Sequence, residues 1–342
     1  MKVSVVILNW NGKEMLKAYL PDVIAHTNMP DVEVVVADNG STDGSVEMLE
    51  RVFPQTPLVI LEKNFGFAEG YNMALRDNNA EYFLLLNSDV EIMDDNWLQP
   101  MIDYMDGHPD VAACQPKIMS LKNKNNFEYA GAAGGFIDKY GFPFCRGRIF
   151  DVVEPDKGQY DDTMEVFWAS GAALMVRAKD FWAVGGLDAR FFAHMEEIDL
   201  CWRFRNAGLK VVCVSQSKVF HLGGASLNQG NPRKTFLNFR NNLIMLYKNL
   251  SDEDLNKVMK ARKWFDRLAA IQFLLKFDIA NYKAIVNARK EFKKMIPDLQ
   301  ENRAKNAERR KITHVKEIVN YSIVKKFYIN HVRKFSQLPK IV

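Results

Sequence analysis

A short, nearly unbroken apolar run opens the chain at Val3–Leu8 and stops at the polar turn Asn9–Gly12. The same figure recurs three times. Val32–Ala37 ends in Asp38–Gly44, Leu58–Leu61 is followed by Asn64, and Tyr82–Leu86 ends at Asn87-Ser88-Asp89. Runs this short and this apolar suit strands buried on both faces, as in a parallel sheet. Between them the apolar spacing is helical. Met15, Leu16, Tyr19, Leu20 and Val23 mark a helix over Lys13–His26, which Pro21 should kink or end. Glu47–Phe53 is a second helix, and Asn64–Gly70 opens a third that runs to about Asn78. The alternation predicts right-handed βαβ units and an α/β fold, a Rossmann-like, mostly parallel sheet flanked by helices. Polar strand ends would then gather at the carboxyl edge, where open α/β sheets bind ligands.

Further on, Glu196–Asn206 reads as a helix closed by Gly208, and Lys218–Phe220 as a strand before His221. Beyond residue 250 the pattern is helical and amphipathic over Val258–Phe277, Ala284–Met295 and Ile318–Val332, with a charged, solvated stretch from Glu301 to Lys311. The expected organisation is a domain over 1–250, whose first ninety residues make a nucleotide-binding type of sheet, with a helical C-terminal extension over 251–342.

Charge supports that division. The net charge is +4, yet residues 251–342 hold 22 Lys and Arg against 10 Asp and Glu, while 1–250 holds 24 against 32. A basic amphipathic extension can lie on an anionic membrane, pack on the acidic body or dimerise. Its basic residues follow no nucleic-acid-binding module, so no nucleic-acid partner is expected. The N-terminal apolar run is too short for a signal-peptide core, and Leu268–Phe277 is too short to span a bilayer. Four scattered cysteines read as free thiols in a reducing compartment. The expected location is cytoplasmic, or peripheral on the inner face of the membrane.

There is no GxGxxG after the first strand and no GxxxxGK[ST], so neither a dinucleotide fingerprint nor a P-loop is present. A carboxylate-rich crevice without a phosphate-wrapping glycine loop suggests phosphates neutralised by a metal.

VSVVILNWNG, VVVADNGSTDGS, NFGFAEGYNMAL and LLLNSDVE, followed by WASGAALMVR, GGLDARFFAHMEEIDLCWRFRNAG and VFHLGGAS, resemble the inverting family 2 glycosyltransferases of the A-type nucleotide-sugar fold. The pattern is similar to the rhamnosyltransferase-like subgroup of cell-surface polysaccharide assembly and covers residues 1–250. The resemblance implies a nucleotide-binding half over 1–90 and an acceptor and catalytic half over 91–250, a nucleoside-diphosphate sugar donor, dTDP-rhamnose or a UDP-sugar, and a glycan or lipid-linked acceptor. It implies Asp38 and Asn39 at the nucleobase; taken alone the two residues suit a turn or a helix cap, and the neighbouring motifs turn the reading toward the nucleobase. Asn9, Asp43, Asn64, Gly66, Asn72, Asn87, Ser88 and Arg240 join them on the donor side; Asp43 is equally a helix cap, and the Gly66 segment equally a packing contact. Asp89 and His221 would hold Mg²⁺ or Mn²⁺, with Asn87 standing where the family's DxD has its first Asp. Trp168, Ser170 and Gly171 would face the acceptor, Trp168 by stacking unless it is packing. Glu197 is the expected base, with Glu196 and Asp199 as alternatives. A non-catalytic nucleotide- or carbohydrate-binding scaffold and a nucleotidyltransferase are the rival readings.

Overall fold

The computed structural model describes residues 1–223 and 230–341; Gly224–Ser226 of the VFHLGGAS segment fall outside the described residues. The first half alternates as the pattern predicts. It runs β1 (Val3–Asn9), α1 (Lys13–His26), β2 (Val32–Asp38), α2 (Ser45–Val52), β3 (Leu58–Ile60), α3 (Gly66–Leu75) and β4 (Tyr82–Asn87). Tyr82–Leu86 is wholly buried, as a strand covered on both faces must be. Pro21 does not end α1. It lies on the exposed side of the helix, where the carbonyl of Lys17 can turn to water.

The chain continues through β5 (Val90–Glu91), α4 (Gln99–Gly107) and β6 (Val111–Ser120), then four short strands, β7 (Gly135–Asp138), β8 (Pro143–Cys145), β9 (Arg148–Ile149) and β10 (Val152–Val153). Next come β11 (Met164–Glu165), β12 (Ala173–Arg177), α5 (Ala178–Ala183), α6 (Glu196–Asn206) and β13 (Lys210–His221). The C-terminal part holds α7 (Pro232–Asn249), α8 (Asp252–Leu275), α9 (Ile279–Arg309), β14 (Ile318–Val319) and α10 (Ile323–Tyr328).

The main sheet has the order β11-β13-β6-β12-β4-β1-β2-β3, with β5 pairing β13. β1 pairs in parallel with both β2 and β4, while β12 runs antiparallel between β4 and β6. The chain therefore goes outward from β1 to β3 and then returns to its other side. Register places Asn9 beside Asp38, and Leu8 beside Asn87, at the carboxyl edge of this reversal. β13 is much longer than the Lys218–Phe220 that the apolar pattern marks. Its pairing with β6 shifts register between Val214 and Lys218, and that irregularity interrupts the alternation.

The C-terminal extension departs most from expectation. α9 continues through the stretch read as solvated, and its own Asn306 is buried. Ile318–Val332 is not one helix. β14 adds to β7 in a second sheet, β10-β9-β8-β7-β14, and α10 follows. Phe292, Leu299, Val319, Ile323 and Phe327 belong to the same apolar core as β4 and α6.

Candidate functional site

The carboxyl edge around β1 carries a polar floor. Asp38 is fully buried; one carboxylate oxygen accepts from Asn9 Nδ2 at 2.9 Å and the other from the Ser41 amide at 2.8 Å. The Asp38 surface expected to meet a nucleobase is thus closed by Asn9 and Ser41. Asn9 Oδ1, in contrast, is buried without a partner. Only a glycine fits at position 12, since a Cβ there would lie 2.4 Å from that oxygen. Ser88 Oγ borders the same spot. Asn9, Asn87 and Ser88 are therefore the polar groups this edge keeps available.

Several other donor-side expectations resolve into braces. Asp43 accepts from the Lys13 amide at 3.0 Å and from Ser45, tying the starts of α1 and α2 together. Asn39 bonds the Gly66 carbonyl at 3.0 Å and the Phe65 amide at 3.0 Å, and Asn64 accepts from the Gly66 amide at 2.8 Å. Asn72 spends its amide on both backbone groups of Leu187, at 2.7 and 2.9 Å. Arg240 donates to the carbonyls of Arg190 and Phe191, at 2.9 and 3.2 Å, rather than pointing at a diphosphate. The open start of α3 is also filled, because the Phe192 carbonyl accepts from the Phe67 amide at 2.6 Å. A Cβ on Gly66 would strike Phe192.

That carbonyl belongs to the turn that presents the carboxylates. Phe192, His194 and Met195 all have positive φ, at 63°, 72° and 72°, a region costly for residues with side chains. Asn241 of α7 holds the turn by donating to the carbonyls of Phe191, Ala193 and His194, at 2.9, 2.9 and 2.7 Å. The next residues, Glu196 and Glu197, open α6. Neither Glu196 Oε2 nor Glu197 Oε2 has a partner. Burial and the neighbouring Glu197 charge push Glu196 far above the carboxylate range. Burial, opposed by the amides at the helix start, pushes Glu197 up to about 7. Asp199 is different. It is fully buried and accepts from Arg203 at 2.9 Å, Asn249 at 2.7 Å and Lys248 at 2.9 Å. With its acceptors occupied it cannot take a proton from a substrate, so its place as an alternative base is withdrawn. Asp188 of the GGLD segment shares Lys248, at 2.6 Å, so that motif is a structural ion cluster.

A second wall joins the carboxylates to the sheet. The Asn87 amide donates to the Ala172 carbonyl at 3.0 Å, and Gly171 lies next to Glu197 and Phe67. Ser170 is buried, its hydroxyl donating to the Ala130 carbonyl at 2.6 Å. Trp168 is buried in the core, with Nε1 donating to the Phe136 carbonyl at 3.1 Å. It offers no face for a sugar to stack on, so packing is its role.

Asp89 and His221 do come together, Nε2 lying 3.1 Å from Asp89 Oδ1 and 3.3 Å from Asn87 Nδ2. Glu128, which the sequence reading missed, stands 3.6 Å from the other ring nitrogen. Burial disfavours a charged imidazole, yet the two carboxylates outweigh it and raise His221 to about 10. Asp89 is correspondingly lowered: burial works the other way, but the His221 contact prevails. For a cation the test is convergence. Glu128 and Asp89 sit on opposite ring nitrogens, and no group of three His, Cys, Asp or Glu among the described residues could hold a metal. The donor set fits a cation shared with a diphosphate, not one held by protein alone: Asp89 would be the carboxylate ligand, and His221 Nε2 could join it only as neutral imidazole, its proton displaced by the cation. His194 was also missed. It is neutral, since burial and Lys234 lower it to about 4, and its Nε2 has no partner.

Residues 4–157 match the model of the glycosyl transferase family 2 domain. The O-antigen biosynthesis protein RfbC of Myxococcus xanthus is 27% identical over 227 residues, which cover 66% of this chain and 18% of that protein. The N-acetylglucosaminyl-diphospho-decaprenol L-rhamnosyltransferase of Mycobacterium tuberculosis is 28% identical over 242 residues, covering 64% of this chain and 75% of that protein. Among solved structures, S. aureus TarS 1-349 in complex with UDP-GlcNAc aligns with a TM-score of 0.55 at 17% identity, over 90% of this chain and 89% of that one. GalNAc-T7 with UDP, GalNAc and Mn²⁺ aligns with a TM-score of 0.57 at 16% identity, over 74% of this chain and 49% of that one. At these identities the structural likeness speaks to the fold.

Proposed function

We propose that this chain, a glycosyltransferase of the A-type fold carrying a family 2 domain over residues 4–157, moves a sugar from a nucleoside-diphosphate donor to a hydroxyl of a glycan or lipid-linked acceptor in polysaccharide assembly. The names of the relatives, a rhamnosyltransferase acting on a lipid diphosphate and an O-antigen biosynthesis protein, support that substrate class. They make dTDP-rhamnose the first donor to try and UDP-sugars the second.

The observation that carries the reading is the pair of glutamates at the start of α6. Of three neighbouring carboxylates, Asp199 is locked in ion pairs, Glu196 is held neutral, and Glu197 titrates near 7 with an unpartnered oxygen. A general base works best with a pKa near the working pH. Glu197 takes the acceptor hydroxyl proton as that oxygen attacks the anomeric carbon from the face opposite the diphosphate. The new bond is carbon to acceptor oxygen. The bond to the phosphate oxygen breaks, its electron pair leaves with the nucleoside diphosphate, and the configuration inverts. Asn9, Asn87 and Ser88 orient the donor, and Asp89 with His221 faces the diphosphate. A divalent cation shared there would offset the charge of the leaving group.

The test is transfer measured as nucleoside diphosphate released per acceptor glycosylated, with a panel of nucleotide sugars. Glu197→Gln is expected to keep donor binding and lose transfer. Equal turnover in that variant removes Glu197 as the base. Release of pyrophosphate instead identifies a nucleotidyltransferase.

A further inference from the structure

Helix α8 packs one side against the rest of the molecule, through Val258, Arg262, Asp266 and Ala270, and turns the other to solvent. The outer side carries Trp264, Leu268, Ile271 and Leu275, spaced four, three and four residues apart, so they form one stripe along the helix. Trp264 is 65% exposed and Leu275 75%, and Phe277, just past the helix end, is 89% exposed. A contiguous apolar surface of this kind marks a binding face more often than a surface that meets only water.

The surroundings of the stripe say what it binds. Lys257, Lys260, Lys263, Arg267 and Lys276 are all exposed, and the Arg267 guanidinium lies 5.0 Å from the centre of the Trp264 ring. Between residues 255 and 290 the acidic residues are Asp266 and Asp278. Asp266 is buried against Arg262 and Arg289, and Asp278 is occupied by Asn281 at the start of α9. The face is therefore apolar with a basic border.

We propose that this face seats the protein on an anionic lipid surface. The stripe lies at the boundary of headgroups and acyl chains, with the border on lipid phosphates. A Trp and a Phe beside lysines suit that boundary, where one end of a side chain is dry and the other wet. A second copy of the chain fits less well, since a twofold pairing would bring the basic border against itself. The acidic body is not available as a partner either, because α8 already meets the body with its opposite side. The contact is peripheral, as no helix among the described residues is long and apolar enough to cross a membrane.

A groove of about 570 Å³ adjoins this face, between Gln272 and Lys276 of α8 and Tyr328 of α10, and it reaches Tyr129. Tyr129 follows Glu128, which stands against His221. The groove beside the lipid face and the surroundings of His221 are thus linked through two consecutive residues, Tyr129 and Glu128. That part of the inference rests on the transferase reading, because it lets an acceptor with an apolar carrier stay in the bilayer while its polar head enters the groove.

Flotation of the intact chain with phosphatidylglycerol-containing vesicles, against pure phosphatidylcholine, tests the proposal. Binding is expected for the anionic vesicles and should weaken with salt. The triple variant Trp264→Ser, Leu268→Ser, Leu275→Ser should bind at least about tenfold more weakly, and so should Lys257→Glu with Lys260→Glu and Lys263→Glu. Both sets should keep the wild-type unfolding temperature and the wild-type rate on a water-soluble acceptor. Absence of vesicle binding, or binding that neither set changes, overturns the proposal. So does a dimer in solution that the serine variant converts to monomer, which would assign the stripe to a second copy. Vesicle binding with no transfer to any acceptor would count against the transferase reading and leave the lipid face standing.

Discussion

Glu196 and Glu197 begin the same helix, yet their surroundings shift their acidity to different extents. Glu196 is buried beside a charge of its own sign and stays protonated, while Glu197 titrates near 7. The rate of transfer should therefore rise with pH along a limb centred near 7, where Glu197 loses its proton. Replacement by Gln should remove that limb and lower turnover by about 10²–10⁴-fold, the usual contribution of a general base. The same shift has a consequence for stability. The folded-state pKa lies above the ordinary glutamate value of about 4.5, so the folded state favours the protonated carboxyl. The wild type accordingly loses stability as pH climbs from about 4.5 to about 7, and Gln escapes that loss. Glu197→Gln should match the wild type at acid pH and exceed it by up to about 3 kcal/mol at pH 8, read by denaturant titration. Asp199→Ala should do the reverse. It strands Lys248 and Arg203 in the interior and is expected to cost about 3–5 kcal/mol. The motif frame could not separate these carboxylates, because what distinguishes them is a lysine on α7, about fifty residues downstream.

The turn from Phe192 to Met195 is the element on which the site depends. It carries three strained residues, caps α3 with a carbonyl, and hangs from one asparagine. Asn241→Ala removes all three donations, and buried carbonyls left without partners cost about 1–3 kcal/mol. If the turn aims Glu197, turnover should fall while the affinity for nucleotide, measured by calorimetry, stays as it was. A variant that is merely less stable would regain full turnover on cooling. Gly66→Ala meets the turn from the other side, since its Cβ would overlap Phe192 at a position whose φ is +81°. The elements themselves were readable, because β1, β2 and β4 are apolar runs and α1 and α6 keep helical spacing. The filling of the start of α3 was not. It is a backbone contact between Phe67 and Phe192, and no side-chain pattern records it. The same holds for Asn72 and Arg240, whose polar heads look free in sequence and are bound to main chain in the fold.

At the scale of the whole molecule, the C-terminal extension is part of the structure that holds the site. β14 pairs with β7, and the Ile323 amide donates to Asp138 at 2.9 Å. The Phe335 amide donates to Glu154 at 2.8 Å, and Glu317 meets Arg205 of α6 at 2.5 Å. The last contact reaches the helix that begins with Glu196 and Glu197. β14 has two residues and its partner strand lies about 180 positions earlier, so its pairing leaves no periodicity to read. Removing residues 312–342 would uncover Phe136 and Phe144, which now pack against the Phe335 ring, and would leave Arg205 without Glu317. Phe136 and Phe144 belong to the same core as β4, so exposing them should loosen the body that carries the candidate site. The expected result is a single unfolding transition at lower temperature, with raised binding of an apolar dye. Transfer should be lost on soluble and membrane-borne acceptors alike. That distinguishes the truncation from the serine variant of α8, which should keep its melting temperature and fail only where the acceptor lies in a bilayer. Were the truncated chain to melt as the full chain does and still glycosylate a soluble acceptor, the extension would be an appendage after all, and the α6 anchor at Glu317 dispensable.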